Sequence, residues 1–360
     1  MPQMCDAVVI GAGQAGLATA KALVDKGIRP VIVEAGSEPG GAWQHYYDSL
    51  ALFSPARYSG LVGSPFPGDP DRYPSRDEVV VYLRDYAKRL DVDIRTNCRV
   101  LGVRGETHGY GVLTGGDMFI SPMLIAATGT YGSPFIPRVS GADTFSGGQL
   151  HAARYRTAGA FAGQRVVVVG AGNSAVQISA ELAETAVVTL ASRRYPRLVP
   201  QRPLGFDMHF WYSRTGLDIA PVGPWLPRRP NAPVFDAGVY REALESGRPD
   251  WRKMFTRMDG DSVVWADGST ESVDTVIWAT GYRPDVGYLA GLGAVDARGV
   301  PRHRNGVSTT HPGLGFVGLE WQRSLSSATL RGVGRDAAFV VDRLSRRCYP
   351  SMPNSVAPLP

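Results

Sequence analysis

Asp6-Ala7-Val8-Val9-Ile10-Gly11-Ala12-Gly13-Gln14-Ala15-Gly16 is the stretch on which the fold turns. A short apolar run meets a glycine-rich turn, and Leu17 to Lys26 continues with helical periodicity until Gly27 ends it. Pro30 to Val33 reads as a second buried strand that stops at Glu34. In such a strand–turn–helix–strand unit each glycine has its own task. Gly11 makes the tight turn, Gly13 lets a pyrophosphate approach the backbone beside Gln14, and Gly16 lets the helix lie against the sheet. The helix N-terminus then faces phosphate, and Glu34 is placed to bond the ribose hydroxyls of an adenosine. The competing reading is a glycine-rich turn with no ligand. Gly40-Gly41-Ala42-Trp43 follows closely, either as a backbone passing near a large ligand with Trp43 beside it, or as an ordinary loop with a core tryptophan.

The pattern recurs. Arg165 to Val169, then Gly170-Ala171-Gly172-Asn173-Ser174-Ala175, a helix through Leu182 and a strand from Val187 to Ala191 repeat the plan. Gly11 to Glu34 and Gly170 to Arg193 are equally far apart in sequence, which aligns Arg193 with Glu34. A carboxylate would repel a 2′-phosphate, whereas a guanidinium in Ser192-Arg193-Arg194 would hold it with two charge-assisted hydrogen bonds. The first site is therefore expected to take FAD and the second NADPH, with NADH tolerated; a solvated surface pair is the alternative for Arg193 and Arg194. Each copy also ends alike. Tyr110–Leu113 and Met118–Ile120 flank Thr114-Gly115-Gly116-Asp117, and the next strand reaches Ala127-Thr128-Gly129. Val263–Trp265 and Thr275–Trp278 flank Asp267–Thr270 and lead to Ala279-Thr280-Gly281-Tyr282. The fold class implied is α/β, with two Rossmann-like dinucleotide-binding domains, the NADPH domain inserted in the FAD domain. The expected limits are 1–158 and 288–345 for the FAD domain, 159–287 for the NADPH domain, and a tail from 346 to 360.

The segment from about 196 to 258 breaks the repeat, with eight prolines between Pro196 and Pro233 among Phe206, His209, Phe210, Trp211, Tyr212 and Trp225. It reads as an insertion over a cleft, serving a substrate channel or an interface, against plain surface packing. Ser326 or Ser327 is expected to cap a helix running to about Leu344, its N-terminus facing a flavin. At about 150 residues per domain, 360 residues suit two domains. With 20% charged residues, a disordered chain is excluded. The net charge of +5 is spread over scattered arginines, so no nucleic-acid-binding arm is expected. Cys5, Cys98 and Cys348 lie far apart, so neither a disulfide framework, a zinc site nor a redox cysteine pair is expected. No apolar run approaches 18 residues, so a cytoplasmic protein without a membrane segment is expected, a homodimer being compatible with the aromatic insertion.

Phe145-Ser146-Gly147-Gly148-Gln149-Leu150-His151-Ala152-Ala153-Arg154-Tyr155 lies between the two glycine turns. With Gly40-Gly41-Ala42-Trp43 and Ala279-Thr280-Gly281-Tyr282, it makes the whole chain resemble the flavin-containing monooxygenases, also called class B flavoprotein monooxygenases. Short bacterial members, including arsenic-resistance-associated relatives, are most similar. Tyr155-Arg156 is closer to the enzymes that oxidise sulfur and nitrogen than to ketone-oxidising Baeyer–Villiger relatives. The resemblance implies FAD at Gly11, Gly13, Gln14, Gly16, Glu34, Gly41, Trp43, Thr128 and Gln322. It implies NADPH at Gly170, Gly172, Asn173, Ser174, Ser192, Arg193, Arg194 and Thr280.

The implied chemistry is hydride transfer to FAD, formation of a C4a-hydroperoxide with O2, and oxygenation of a small soft nucleophile, with weak Baeyer–Villiger activity allowed. Phe53, His151 and Tyr282 are the residues nearest the expected chemistry. Family members commonly carry Asn-Ser-Pro where this chain has Phe53-Ser54-Pro55, and Phe53 cannot donate the hydrogen bond of that Asn. His151 is either a hinge residue sensing nicotinamide or an ordinary hydrogen-bonded structural histidine. No metal is expected. Two other functions stay open: an NADPH-driven flavin oxidase or reductase that releases H2O2 or passes electrons to a partner, and a non-catalytic dinucleotide sensor.

Overall fold

The computed structural model of the chain describes residues 1–225 and 233–350. Residues 226–232 of the expected insertion and the expected tail beyond 350 lie outside the described residues.

Ala7–Ile10 is an interior strand of a seven-stranded sheet, flanked by Pro30–Val33 on one side and Met123–Ala126 on the other. Asp93–Arg95 continues the sheet beyond Pro30–Val33, and Leu314–Phe316 continues it beyond Met123–Ala126, all in parallel. His303–Arg304 and Val307–Ser308 close the far edge antiparallel. Strands buried on both faces must be apolar throughout, which is why AVVI, PVIV and MLIA read as unbroken runs. One face packs against helices α1 (Gln14–Val24) and α6 (Leu330–Cys348), through Val9, Leu17, Leu23, Ile32, Val340 and Leu344. The other packs against an antiparallel sheet, where Val100–Glu106 joins the expected hairpin of Gly109–Thr114 and Met118–Ser121.

A second, five-stranded parallel sheet repeats this order. Arg165–Val169 lies between Val187–Ser192 and Thr275–Trp278, with Asp250–Lys253 and Gly148–His151 at the edges. Gly148–His151 thus enters this sheet upstream of residue 158, where the sequence suggested the change of domain. Asp250–Lys253 also belongs to this sheet, although it falls within the stretch expected to be inserted. The chain leaves the first sheet after Met123–Ala126 and returns to it only at 303–316, so one sheet is nested within the other.

Two local expectations need correction. The hairpin partner of Ser262–Val264 is Thr270–Ser272, not Thr275–Trp278, which is drawn into the parallel sheet by its fully buried TVIW sequence. Helix α6 starts at Leu330 under a Thr329 cap, whose hydroxyl accepts from Gly332 N–H at 3.2 Å. The two expected caps are otherwise engaged. Ser326 Oγ donates to the Asp218 carbonyl, and Ser327 Oγ accepts from Arg323 and Ser324 N–H.

Candidate functional site

The first glycine turn is shaped by backbone crowding. Gly11 has φ +102°, and a Cβ there would lie 2.9 Å from the Ala127 carbonyl oxygen. A Cβ on Gly16 would fall 1.7 Å from the Gly11 carbonyl oxygen, so helix and turn can meet only as glycines. Gly41, at φ +56°, would place a Cβ 2.8 Å from Gly13 Cα, bringing the second glycine segment onto the turn. Buried Glu34 closes the site, its carboxylate accepting from Ala12 N–H at 2.6 Å and Gly36 N–H at 2.7 Å. Gln14 does not point its amide freely outward. It donates to the Ala328 carbonyl at 2.7 Å and accepts from Trp43 Nε1, stapling α1 to the segment before α6.

Both glycine-turn helices begin without a side-chain cap: α1 at Gly13, and α3 (Asn173–Leu182) at Gly172. The remaining helices are closed. Ser75 and Glu78 form a capping box on α2 (Arg76–Arg89), and Asp207 caps α4 (Met208–Thr215). The Asp236 carboxylate accepts from three amides at the start of α5 (Val239–Glu245). Unfilled first-turn amides behind glycine fit a phosphate group. Beside Gly172 a Cβ would meet nothing within 4 Å, and Asn173 Oδ1 is buried without a partner among the described residues. These features suit a second dinucleotide, the Ser174 amide lying in the same first turn.

The register of the two sheets corrects the alignment of Arg193 with Glu34. Ile10 pairs with Val33, and Val169 with Ala191. Gly11 N–H donates to Val33 O at 2.8 Å, and Gly170 N–H to Ala191 O at 2.9 Å. Ser192 is therefore the counterpart of Glu34, with Arg193 one residue further on. The second copy has one residue fewer between turn and strand, which equal spacing to Arg193 concealed. Ser192 Oγ donates to the Arg194 carbonyl at 2.7 Å and accepts from Trp251 Nε1 at 2.9 Å. The Arg193 and Arg194 side chains are exposed, and Lys253 pairs in register with Ser192 on the neighbouring strand. Lys253 went unnoticed in the sequence because it belongs to the unit only through the sheet.

The duplicated Ala-Thr-Gly endings meet one another. Tyr282–Arg283 pairs antiparallel with Ser133–Pro134, forming a ribbon between the two units. Thr128 and Thr280, expected at the cofactors, direct their hydroxyls into this ribbon, donating to the carbonyls of Asp285 and Phe135. Aromatic rings continue the joint. Trp43, Tyr46, Tyr131, Tyr282 and His151 stand in sequence with successive centroids 5.5, 5.2, 4.6 and 4.9 Å apart. Burial is the main cause that raises the Tyr282 phenol above its ordinary range. His151 accepts from Ala153 N–H at Nδ1 and faces the Gly281 carbonyl at 3.0 Å through Nε2, which places its proton on Nε2. Burial lowers its pKa, against the opposing pull of that carbonyl. Tyr46 and Tyr131 were not singled out in the sequence, since nothing local marks a ring that bridges two domains.

Phe53 lies apart from this ladder, 37% exposed, against the insertion. Its ring stacks on His209 at 5.9 Å and approaches Phe235 at 5.7 Å, and its carbonyl accepts from Gln201 Nε2 at 3.0 Å. Gln322 is almost fully buried. Its Oε1 accepts from Leu319 N–H, while its Nε2 has no partner among the described residues. Trp321 before it has φ +59°, a conformation that costs a non-glycine residue about 1–3 kcal/mol and marks a constrained turn. Among the described residues no His, Cys, Asp or Glu cluster could hold a metal, and no helix is long and apolar enough to cross a membrane.

Comparison with known proteins agrees with this geometry. Residues 8–202 match the pyridine nucleotide-disulphide oxidoreductase family. An uncharacterized CzcO-like oxidoreductase of Geobacillus kaustophilus is 33% identical, covering 95% of this chain and 99% of its own length. Indole-3-pyruvate monooxygenase YUCCA1 of Oryza sativa is 30% identical over 78% of this chain and 77% of its own. The solved structure of a flavin-containing monooxygenase from Stenotrophomonas maltophilia superposes with a TM-score of 0.85 at 32% identity, covering 96% of this chain and 99% of that one.

Proposed function

The chain belongs to the flavin monooxygenases within the pyridine nucleotide-disulphide oxidoreductase family, and on that premise we propose that it oxidises NADPH through bound FAD and transfers one oxygen atom of O2 to a small soft nucleophile, a sulfide or an amine. The observation that carries this reading is the pair of uncapped glycine-turn helices with unlike adenosine ends. Glu34, acceptor-only and buried, suits ribose hydroxyls and opposes a phosphate. Ser192 presents a neutral hydroxyl with Arg193, Arg194 and Lys253 nearby, which favours a 2′-phosphate.

When bound, the flavin supplies hydride acceptance and oxygen activation. The protein supplies placement. Gly11, Gly13, Gly16 and Gly41 cradle the FAD pyrophosphate, while Gly170, Gly172 and the amides of Asn173 and Ser174 receive that of NADPH. The ribbon and the ring ladder ending at Tyr282 and His151 hold the two units in register.

The test is NADPH consumption in the presence of O2 with thioanisole or N,N-dimethylbenzylamine. One oxygenated product per NADPH, with little H2O2, supports the reading, and H2O2 alone with every substrate overturns it. That second outcome would fit an NADPH oxidase, a reading favoured by Phe53, whose ring offers no hydrogen-bond donor.

A further inference from the structure

The insertion carries a buried polar group that the proposed chemistry has not used. His209 and Asp207 lie at the start of α4, and His209 Nδ1 is 2.9 Å from Asp207 Oδ1. The other carboxylate oxygen accepts from Tyr73 Oη at 2.6 Å and Gln201 Nε2 at 2.7 Å. Burial opposes ionisation of Asp207, yet the bonds from His209, Tyr73 and Gln201 together hold its pKa down to about 2. A carboxylate so fixed keeps the proton on Nδ1 and leaves the lone pair of Nε2 available, as in any His–Asp pair that serves as a base. Among the described residues Nε2 has no partner. The imidazole stacks on Phe53 and on Tyr58, with Tyr212 and Phe235 completing the wall.

We propose that His209, oriented by Asp207, accepts the proton of a protonated amine substrate seated against the open face of Phe53. The proposal rests on the monooxygenase reading and narrows its substrate class. An ammonium has no lone pair to offer an oxygen donor, whereas a sulfide needs no deprotonation. In the step, the substrate N–H bond breaks, its electron pair stays on nitrogen, and the proton forms a bond to Nε2; nothing is oxidised or reduced. The π face of the half-exposed Phe53 favours a cation at this place. The charged and titratable groups around His209 are Asp207, Tyr58, Tyr73 and Tyr212. Among the nearby cations, Arg57 pairs with Asp71 at 2.7 Å, Arg331 pairs with Asp218 at 2.6 Å and lies over the Tyr58 ring at 5.6 Å, and Arg202 lies over the Tyr73 ring.

The test titrates the flavin-loaded protein, without NADPH, with N,N-dimethylbenzylamine, benzyltrimethylammonium and thioanisole, reading the flavin difference spectrum. Wild-type protein should bind the dimethylamine about tenfold more tightly than the trimethylammonium ion, which has no proton to give. His209→Asn should remove that difference, and Asp207→Asn should diminish it. Equal wild-type affinity for the two amines, or an undiminished difference in His209→Asn, overturns the proposal. The titration is independent of turnover. Absence of oxygenated product under NADPH and O2 would refute the monooxygenase reading, and the binding comparison would still decide the role of His209.

Discussion

Ser192 occupies in the second sheet the backbone position that Glu34 occupies in the first, each directly following the residue whose carbonyl receives the glycine-turn amide. Both side chains are buried, but one is an anion accepting two amides and the other a neutral hydroxyl bonded to Arg194 O and Trp251 Nε1. On the proposed reading, two adjacent residues discriminate the nicotinamide cofactor. Ser192 removes a repulsive charge, and Arg193 adds an attractive one.

Arg193→Ala should raise KM for NADPH about 10- to 100-fold, the value of one or two charge-assisted hydrogen bonds, and change KM for NADH less than about twofold. Ser192→Glu should act in the same direction by restoring the repulsive group. Steady-state kinetics with both cofactors check this. An equal effect on NADPH and NADH would remove the phosphate contact from Arg193.

The two glycine turns should respond differently to one methyl group. Gly16→Ala puts a Cβ 1.7 Å from a backbone oxygen and should prevent assembly of the first unit, leaving colourless or insoluble protein. Gly172→Ala meets nothing within 4 Å and should fold with normal flavin content, its Tm within about 2 °C of wild type. Its affinity for NADPH should fall at least about tenfold, because the methyl occupies the space a pyrophosphate needs. Flavin loss in Gly172→Ala, or normal NADPH affinity, would contradict the assignment.

Acidification should weaken the molecule in two places. The pKa of His151 is lowered in the folded state, so its contribution is complete above the ordinary histidine pKa of about 6.5 and fades as pH falls through its lower folded value. The pKa of Asp207 falls from 3.8 to about 2, so its contribution is complete above 3.8 and is lost as pH falls toward 2. That second loss is worth roughly 2 kcal/mol. Urea unfolding followed by Trp fluorescence against pH should show Asp207→Asn flattening only the lower step. A lower step unchanged in that variant would show that Asp207 is not its source.

The strands and glycine turns were legible because they are short-range. Four valines running into Gly170 dictate local structure wherever the chain goes next. Legibility failed where sheet pairing decides. Gly148–His151 is too polar to announce a strand and is one only because Thr275–Trp278 lies alongside. The equivalence of Ser192 and Glu34 likewise needed the register, since a connection shorter by one residue cannot be seen by counting to a plausible arginine. The His209–Asp207 pair was hidden differently. Its partners Phe53, Tyr58 and Tyr73 lie more than a hundred residues upstream, and only the folded insertion brings them together.

The central claim is that NADPH binds the second unit with its 2′-phosphate beside Ser192 and Arg193, while FAD fills the first. A crystal structure of the flavin-loaded protein soaked with NADP⁺ tests it most directly. The account predicts pyrophosphate density on the amides after Gly172 and a phosphate within hydrogen-bonding reach of the Arg193 guanidinium. NADP⁺ lying against Glu34, or no nucleotide near Gly170 at saturating concentration, would contradict it.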